Sequence, residues 1–168
     1  MAHTGEEQLL LDLLNSTPVA EHGPVDLLAA DDQAGDWART RGGTGSTAEA
    51  SHLRRVRDQL QAVVRGKEPV TTLAPALRGV RMRPDLTDAG IDWRLDVPAD
   101  RRLATEALLA WGRVREQLPG RLRACANGEC QLFLLDHSRP NTARWCSMKV
   151  CGNRLKARRH YQRSQLPN

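Results

Sequence analysis

Apolar residues recur at helical spacing in three segments of the first 120 residues. In segments 6–15, 46–65 and 98–118 the apolar positions lie three or four residues apart, so they share one face of a helix. The faces consist of Leu9, Leu10, Leu13 and Leu14 in the first segment, of Leu53, Val56, Leu60, Val63 and Val64 in the second, and of Leu103, Ala107, Leu108, Trp111, Val114 and Leu118 in the third. We therefore predict a compact domain built on three amphipathic helices.

Short polar motifs mark where these helices begin and end. The run STAE from Ser46 predicts a capping box at the start of the second helix. Pro-Gly at 119–120 closes the third helix and marks a domain boundary. Between the first two helices, residues 31–41 predict a further short helix with Asp31 or Asp32 as its N-cap.

Two runs of alternating apolar and polar residues predict a β-hairpin. The runs are VRMRPDL (80–86) and IDWRLDV (91–97), and four turn-forming residues, TDAG, separate them. Because a two-stranded hairpin is marginally stable by itself, we expect it to lean on the helices. A short helix is predicted just before it, at residues 70–78.

Positive charge is concentrated at the C-terminal end. The chain has 25 lysines and arginines against 20 aspartates and glutamates, a net charge of +5. Residues 1–120 hold 15 basic and 18 acidic side chains, whereas residues 121–168 hold 10 basic ones and two acids, Glu129 and Asp136. The balanced charges of residues 1–120 are typical of solvated helix surfaces, and we expect one such surface to consist of Arg54, Arg55, Arg57 and Asp58. Residues 121–168 form a polycation, which indicates nucleic acid or another anionic surface as partner.

All four cysteines lie in this basic segment, in two pairs of equal spacing. Four residues separate Cys125 from Cys130, four separate Cys146 from Cys151, and fifteen lie between the pairs. Each pair can hold one side of a metal ion while the loop between them folds back, as in tetrahedral four-cysteine zinc sites. Four protein ligands leave no position for water, so we predict one structural Zn²⁺ and no catalysis at the metal.

Other uses of cysteine compete with this prediction. His137 and His160 are near enough in sequence to replace a thiolate, and four buried free thiols would need the equal spacing to arise by chance. A redox pair usually has two residues between its cysteines and lies beside a βαβ unit, a pattern that this sequence lacks. Disulfides are disfavoured because the acidic N-terminal segment does not resemble a signal peptide and no apolar run is long enough to cross a membrane, so we expect a reducing cytoplasm.

The C-terminal segment resembles the CGNR zinc finger family. The resemblance rests on the tetrad CGNR at 151–154, on WCSM at 145–148 and on FLLD at 133–136; Pro140 and Ala143 depart from it, because they interrupt a loop that is usually basic and polar. It implies that the protein is a bacterial DNA-binding regulator and that one zinc ion is bound by Cys125, Cys130, Cys146 and Cys151. More weakly, LLLDLLNSTP and GPVDLL make residues 7–118 resemble the domain usually joined to this finger, a stress-induced transcription regulator (ABATE-like) domain.

The predicted fold class is α+β and mainly α. Residues 1–120 form a helical regulator-like or sensor-like domain with one β-hairpin, and residues 121–168 form a small zinc-stapled finger with a β-hairpin and a basic helix. Ser147 is the predicted N-cap of that helix, which runs from about Met148 to Gln162 with Met148, Cys151 and Leu155 facing inward. We expect its outward surface to contact DNA through Arg144, Lys149, Arg154, Lys156, Arg158, Arg159 and Arg163.

Three other function classes are weighed against a DNA-binding regulator. Zinc could hold a scaffold for a protein partner, or the N-terminal domain could sense a small molecule, with Asn15 and Trp37 as a guess for its pocket. An enzyme is not expected, because His22, His52, Asp26 and Asp36 show no recognised catalytic spacing. A homodimer through the N-terminal domain is a further expectation, and DNA is preferred over RNA on the family resemblance.

Overall fold

A computed structural model describes residues 4–20 and 23–153 of the chain. Its main elements are α-helices: α1 Gly5–Leu14, α2 Asp31–Arg39, α3 Thr47–Val64 and α4 Ala99–Gln117. A 3-10 helix, Val70–Leu77, follows α3, and a π-helical turn, Met148–Gly152, lies near the end of the described part. The predicted mainly helical α+β class is confirmed.

The strands pair as three separate antiparallel hairpins. They are β1 Val19–Ala20 with β2 Gly23–Pro24, β3 Arg81–Thr87 with β4 Gly90–Asp96, and β5 Leu122–Ala124 with β6 Phe133–Leu135. The long hairpin predicted from alternating residues is β3–β4, and the hairpin predicted for the finger is β5–β6.

The core lies where α1, α3 and α4 pack against one another. Leucines at helical spacing on α1 and α3 are fully buried there, as the apolar faces predicted: Leu10, Leu13, Leu14, Leu53 and Leu60. Phe133 and Leu135 from β6 belong to the same cluster. The finger's hairpin therefore shares its core with the helices.

The capping motif at α3 is present in a shifted form. The Ser46 hydroxyl accepts a hydrogen bond from the Glu49 backbone N–H (3.2 Å), as predicted. The fully buried Glu49 carboxylate accepts from the Gly45 N–H (2.7 Å) and the Thr44 hydroxyl (2.9 Å) instead of from the Ser46 N–H. A side chain at Gly43 would lie within 2.7 Å of that carboxylate, so this glycine lets the loop close over it.

Two local predictions about α2 and α3 are wrong. Ala30, not Asp31 or Asp32, is the N-cap of α2, and it makes no side-chain capping bond; both aspartates lie in the first turn, where their charge favours the helix dipole. Arg57 is 4% exposed and not solvated, because its guanidinium donates to both carboxylate oxygens of Asp26 (2.5 and 2.9 Å). Although burial opposes it, the hydrogen bond from Arg57 lowers the pKa of Asp26.

The β3–β4 hairpin does not lean on the helices as predicted. Over most of both strands the side chains are exposed, and Leu86, Ile91 and Trp93 keep 84%, 65% and 59% of their surface accessible. The reason lies in the helices, whose leucines are already buried against one another. The surface that α1 and α4 turn toward the hairpin is largely charged, with Glu6, Asp12, Arg102, Glu106 and Arg113.

Candidate metal centre

The first cysteine pair is held by the end of β5 and a tight turn. Cys125 directly follows β5, and its N–H donates to the Leu132 carbonyl (2.8 Å). In the turn, the Cys130 N–H donates to the Asn127 carbonyl (2.8 Å), and the Asn127 side-chain oxygen accepts from the Glu129 N–H (3.3 Å). The turn at Asn127-Gly128 therefore places both thiols on one side of the backbone.

The second pair comes from the loop and π-helical turn at 144–152. The loop is tied to the first pair because the Ala126 N–H donates to the Arg144 carbonyl (2.8 Å). The π-helical turn begins at Met148 and places Cys151 in the site, and the Gly152 N–H donates back to the Ser147 carbonyl (3.0 Å). Backbone hydrogen bonds thus fix both pairs relative to each other.

The four thiol sulfurs converge on a single point. All four Sγ atoms lie within 4.8 Å of one another, and the Cys130–Cys146 and Cys146–Cys151 Sγ separations are both 3.7 Å. A regular tetrahedron with Zn–S bonds of about 2.3 Å has edges of about 3.8 Å. Within the described residues His137 is not part of this group. The sulfur geometry fits one zinc ion.

The surroundings also suit a tetrathiolate metal site. The Asn127 side-chain amide donates to Cys151 Sγ (3.7 Å), and the Cys146 N–H donates to Cys125 Sγ (3.5 Å), so two sulfurs accept hydrogen bonds that favour the thiolate. Burial and the neighbouring thiols Cys130 and Cys151 raise the pKa of Cys146. Burial alone would also raise the pKa of Cys151, but the Asn127 amide and the adjacent sulfurs lower it. Four thiolates this close repel one another, and a bound Zn²⁺ would supply the positive charge that offsets this repulsion.

Asp136 organises the loop between the two pairs. Its carboxylate is 3% exposed and accepts from the backbone N–H groups of Ser138 and Ala143 (both 2.8 Å) and from Arg123 (2.9 Å). The Ser138 side chain, these N–H groups and the Arg123 charge hold the pKa of Asp136 at about 2 despite its burial. Since Ala143 contributes a backbone N–H, its departure from the polar pattern of the family leaves this contact intact.

The finger packs on the helices through hydrogen bonds from helix side chains to the backbone of β6 and of the residues just before it. The Asn15 side chain accepts from the Phe133 N–H (2.7 Å) and donates to the Phe133 carbonyl (3.3 Å), as a neighbouring strand would. Arg65 donates to the Gln131 carbonyl (2.7 Å) and lies over the Phe133 ring, 4.3 Å from its centroid. Together these bonds fix β6 against α1 and the end of α3.

Replacing Asn15 with alanine tests this docking. The substitution leaves the N–H and carbonyl of Phe133 without their partner in a partly buried position, and we expect a loss of about 1–3 kcal/mol in the free energy of unfolding. The measurement is urea denaturation of the zinc-loaded protein. Gln8→Ala on the exposed side of α1 is the control, and a loss no larger than that of the control would contradict the role of Asn15.

Comparison with known proteins agrees with this geometry. Residues 121–164 match the CGNR zinc finger family. The match covers about a quarter of the chain and contains all four cysteines of the site. No curated protein matches the chain. The CGNR match and the sulfur geometry together confirm the prediction of one structural zinc ion.

The residues predicted to contact DNA fall into two groups. Arg144 and Lys149 are exposed beside the zinc site, on either side of Cys146. The others lie outside the described residues: Arg154, Lys156, Arg158, Arg159 and Arg163. None of the seven is tested as a DNA contact, so all remain predictions.

The start of the predicted basic helix differs from expectation. Met148 is 52% exposed and does not face inward. Its side chain lies over Gly152, where an added Cβ would come within 3.0 Å of the Met148 sulfur. Asn153 donates to the Lys149 carbonyl (3.3 Å), a hydrogen bond within the finger.

A cleft, separate from the metal centre, lies between the β3–β4 hairpin and the helices α1 and α4. It is an open cleft of about 1170 Å³ with Leu9, Leu109, Trp93 and Leu95 among its lining residues. Asn15 and Trp37, guessed from the sequence to line a ligand pocket, do not line this cleft. Asn15 is hydrogen-bonded to the Phe133 backbone, and the Arg41 guanidinium carbon lies over Trp37, 4.1 Å from the ring centroid. Sequence reasoning missed this cleft because it forms between elements far apart in the chain.

Every helix in residues 4–20 and 23–153 is too short or too polar to cross a lipid bilayer.

Proposed function

We propose that the protein is a DNA-binding transcription regulator whose zinc site supports the DNA-contacting surface. The observation that carries the proposal is the position of exposed basic side chains directly beside the metal centre. Arg144 precedes Trp145 and Cys146, and Lys149 lies in the π-helical turn that carries Cys151. A rigid zinc site would hold these charges in fixed positions, as phosphate contacts require.

The charge balance of the finger supports an anionic partner. Residues 121–168 contain ten basic and two acidic side chains. Four thiolates and one Zn²⁺ reduce the resulting charge by two, which leaves the finger strongly positive. One of the two acids, Asp136, is buried and paired with Arg123, so it does not offset the surface charge next to the zinc site.

The aromatic residues in the described part of the finger favour duplex DNA over single-stranded nucleic acid. Phe133 is buried in the shared core, and Trp145 is half-buried beside Cys146. Single-strand binders use exposed aromatic rings on which bases stack. In this proposal the N-terminal helical domain is the regulatory part, in line with its weak resemblance to a stress-induced transcription regulator domain.

Binding to duplex DNA at increasing salt tests the proposal. Removing two phosphate contacts with Arg144→Ala/Lys149→Ala should reduce the slope of log K against log salt by about 1.8, since each contact contributes about 0.9. The measurement is fluorescence anisotropy with labelled random duplex, using the zinc-loaded full chain. Arg55→Ala/Arg102→Ala removes the same charge from the helical domain and should leave the slope unchanged.

Two results would contradict DNA binding by the finger. One is no binding of the full chain to duplex DNA even at about 50 mM salt, where phosphate contacts are strongest. The other is an equal loss of slope in both double variants, which would mean that only net charge matters. Site selection with the full chain would then supply the target sequence of a specific binder.

A further inference from the structure

The β3–β4 hairpin, called the arm below (residues 81–96), has one face made only of apolar side chains. In the register of the hairpin, directly paired residues point to the same face. Three successive alternate pairs are entirely apolar: Met82 with Leu95, Pro84 with Trp93, and Leu86 with Ile91. The intervening pairs on the other face are Arg81 with Asp96, Arg83 with Arg94, and Asp85 with Asp92.

Most side chains on the apolar face of the arm are widely exposed to solvent. Four of its side chains keep between 46% and 84% of their surface accessible: Met82, Leu86, Ile91 and Trp93. Fully exposed side chains of this size each present roughly 150–250 Å², so the four together expose about 400–600 Å² of largely apolar surface. Monomeric proteins rarely expose a larger apolar patch, and patches of this size are often functional.

We propose that this face is a dimerisation surface, on which a second copy of the chain packs its own arm about a two-fold axis. Two such faces would bury about 1,000 Å² in total, which reaches the lower limit for a specific interface before any contact outside the arms is counted. Two hairpin faces stacked at the usual sheet spacing of about 10 Å would form a small sandwich, and three or more strands with a shared apolar face are stable where one hairpin is not.

Charge favours a second copy over a charged partner. The two strands carry three arginines and three aspartates, and Arg94 already pairs with Asp85 (3.0 Å) and Asp92 (3.7 Å) within the same hairpin. With Asp88 in the turn, the whole arm carries one net negative charge. It therefore offers no excess positive charge to DNA or to an acidic protein, and a single charge per arm opposes the pairing of two identical arms only weakly. A two-fold interface also requires a self-complementary patch.

The strand edges favour packing through the face over pairing edge to edge. Pro84 has no N–H to offer to an added strand. Every second residue of β3 from Arg81 to Asp85 is also charged, and charged side chains along an edge strand oppose such pairing.

The test is the mass of the zinc-loaded full chain in solution. Sedimentation equilibrium from about 1 to about 100 µM should show a monomer–dimer equilibrium, since an interface of this small size is consistent with micromolar affinity. Ile91→Glu should raise the dimer dissociation constant by about 100-fold or more, because it buries two symmetry-related carboxylates in an apolar contact. Arg83→Gln changes the net charge by the same amount on the opposite face and should leave the dimer intact.

Each alternative occupant gives a different result. A wild-type chain that stays monomeric throughout overturns the proposal, as does a monomer that carries a bound organic molecule in native mass spectrometry. A dimer that persists in Ile91→Glu also overturns it, because the contact would then lie elsewhere. Zinc content and far-UV circular dichroism identical to wild type exclude misfolding of the variant. The outcome is independent of DNA binding.

Discussion

Cys151→Ser is expected to lose stoichiometric zinc and to unfold the finger. Cys151 is 4% exposed and contributes one of four converging sulfurs, and a hydroxyl is a poor replacement for a thiolate at such a site. Structural zinc contributes on the order of 10 kcal/mol to folding, more than any other single change considered for this protein. The measurement combines metal analysis of purified protein with thermal unfolding followed by circular dichroism. Met148→Leu, an exposed neighbour without a ligand role, should keep one zinc per chain.

The loss is expected to extend into the helical part of the chain. Phe133 and Leu135 lie in the same cluster as the leucines of α1 and α3, and the Asn15 amide is bonded to the Phe133 backbone. Chelation of zinc from the wild-type chain should therefore lower the melting temperature of the whole protein. Retention of stoichiometric zinc by Cys151→Ser would mean a different ligand set, and an unchanged melting of the helices after chelation would mean that the shared core contributes little.

The elements and the metal site could be predicted because their signals are local or regular. Helix faces repeat every three to four residues, the β3–β4 strands alternate every two, and the equal spacing of the cysteine pairs indicates one metal site. The division into domains at residue 120 stays a prediction. The shared core shows only that β6 packs on α1, which the sequence did not indicate.

Two outcomes that the sequence patterns did not predict depend on a distant partner. Arg57 is read as solvated from its place on α3, yet it is buried because Asp26, 31 residues away, meets its guanidinium. Asn15 ends α1 and pairs with a backbone 118 residues away. Such contacts depend on how the elements pack, and a periodicity along one element carries no information about them.

For the β3–β4 hairpin the sequence predicted the element correctly but not its surroundings. Its alternation was read correctly, but the pattern alone does not say what covers the apolar face. The helices could not do so, since their side facing the hairpin carries Glu6, Asp12, Arg102 and Arg113. The apolar side of a strand pattern therefore indicates burial by some partner, which need not belong to the same chain.

Phe133→Ala is the substitution expected to cost most outside the zinc ligands. Among the described residues, Phe133 is the largest of the fully buried side chains, at 1% exposure, and its ring is also covered by the Arg65 guanidinium. Truncation of a buried phenylalanine typically costs about 3–5 kcal/mol through lost transfer free energy and the cavity left behind. We expect this loss in urea denaturation of the zinc-loaded protein, with zinc release and tryptophan fluorescence sharing one midpoint.

Phe133→Leu is the matched control, because it keeps most of the volume and should cost less than half as much. Both variants keep the backbone groups that Asn15 binds, so the difference between them measures side-chain packing between β6 and the helices. A cost below about 1 kcal/mol for Phe133→Ala would be typical of a surface position and would contradict the shared core. A midpoint for zinc release well below that of the helices would instead mean that the finger unfolds first, and that its contact with α1 is too weak to make the chain one cooperative unit.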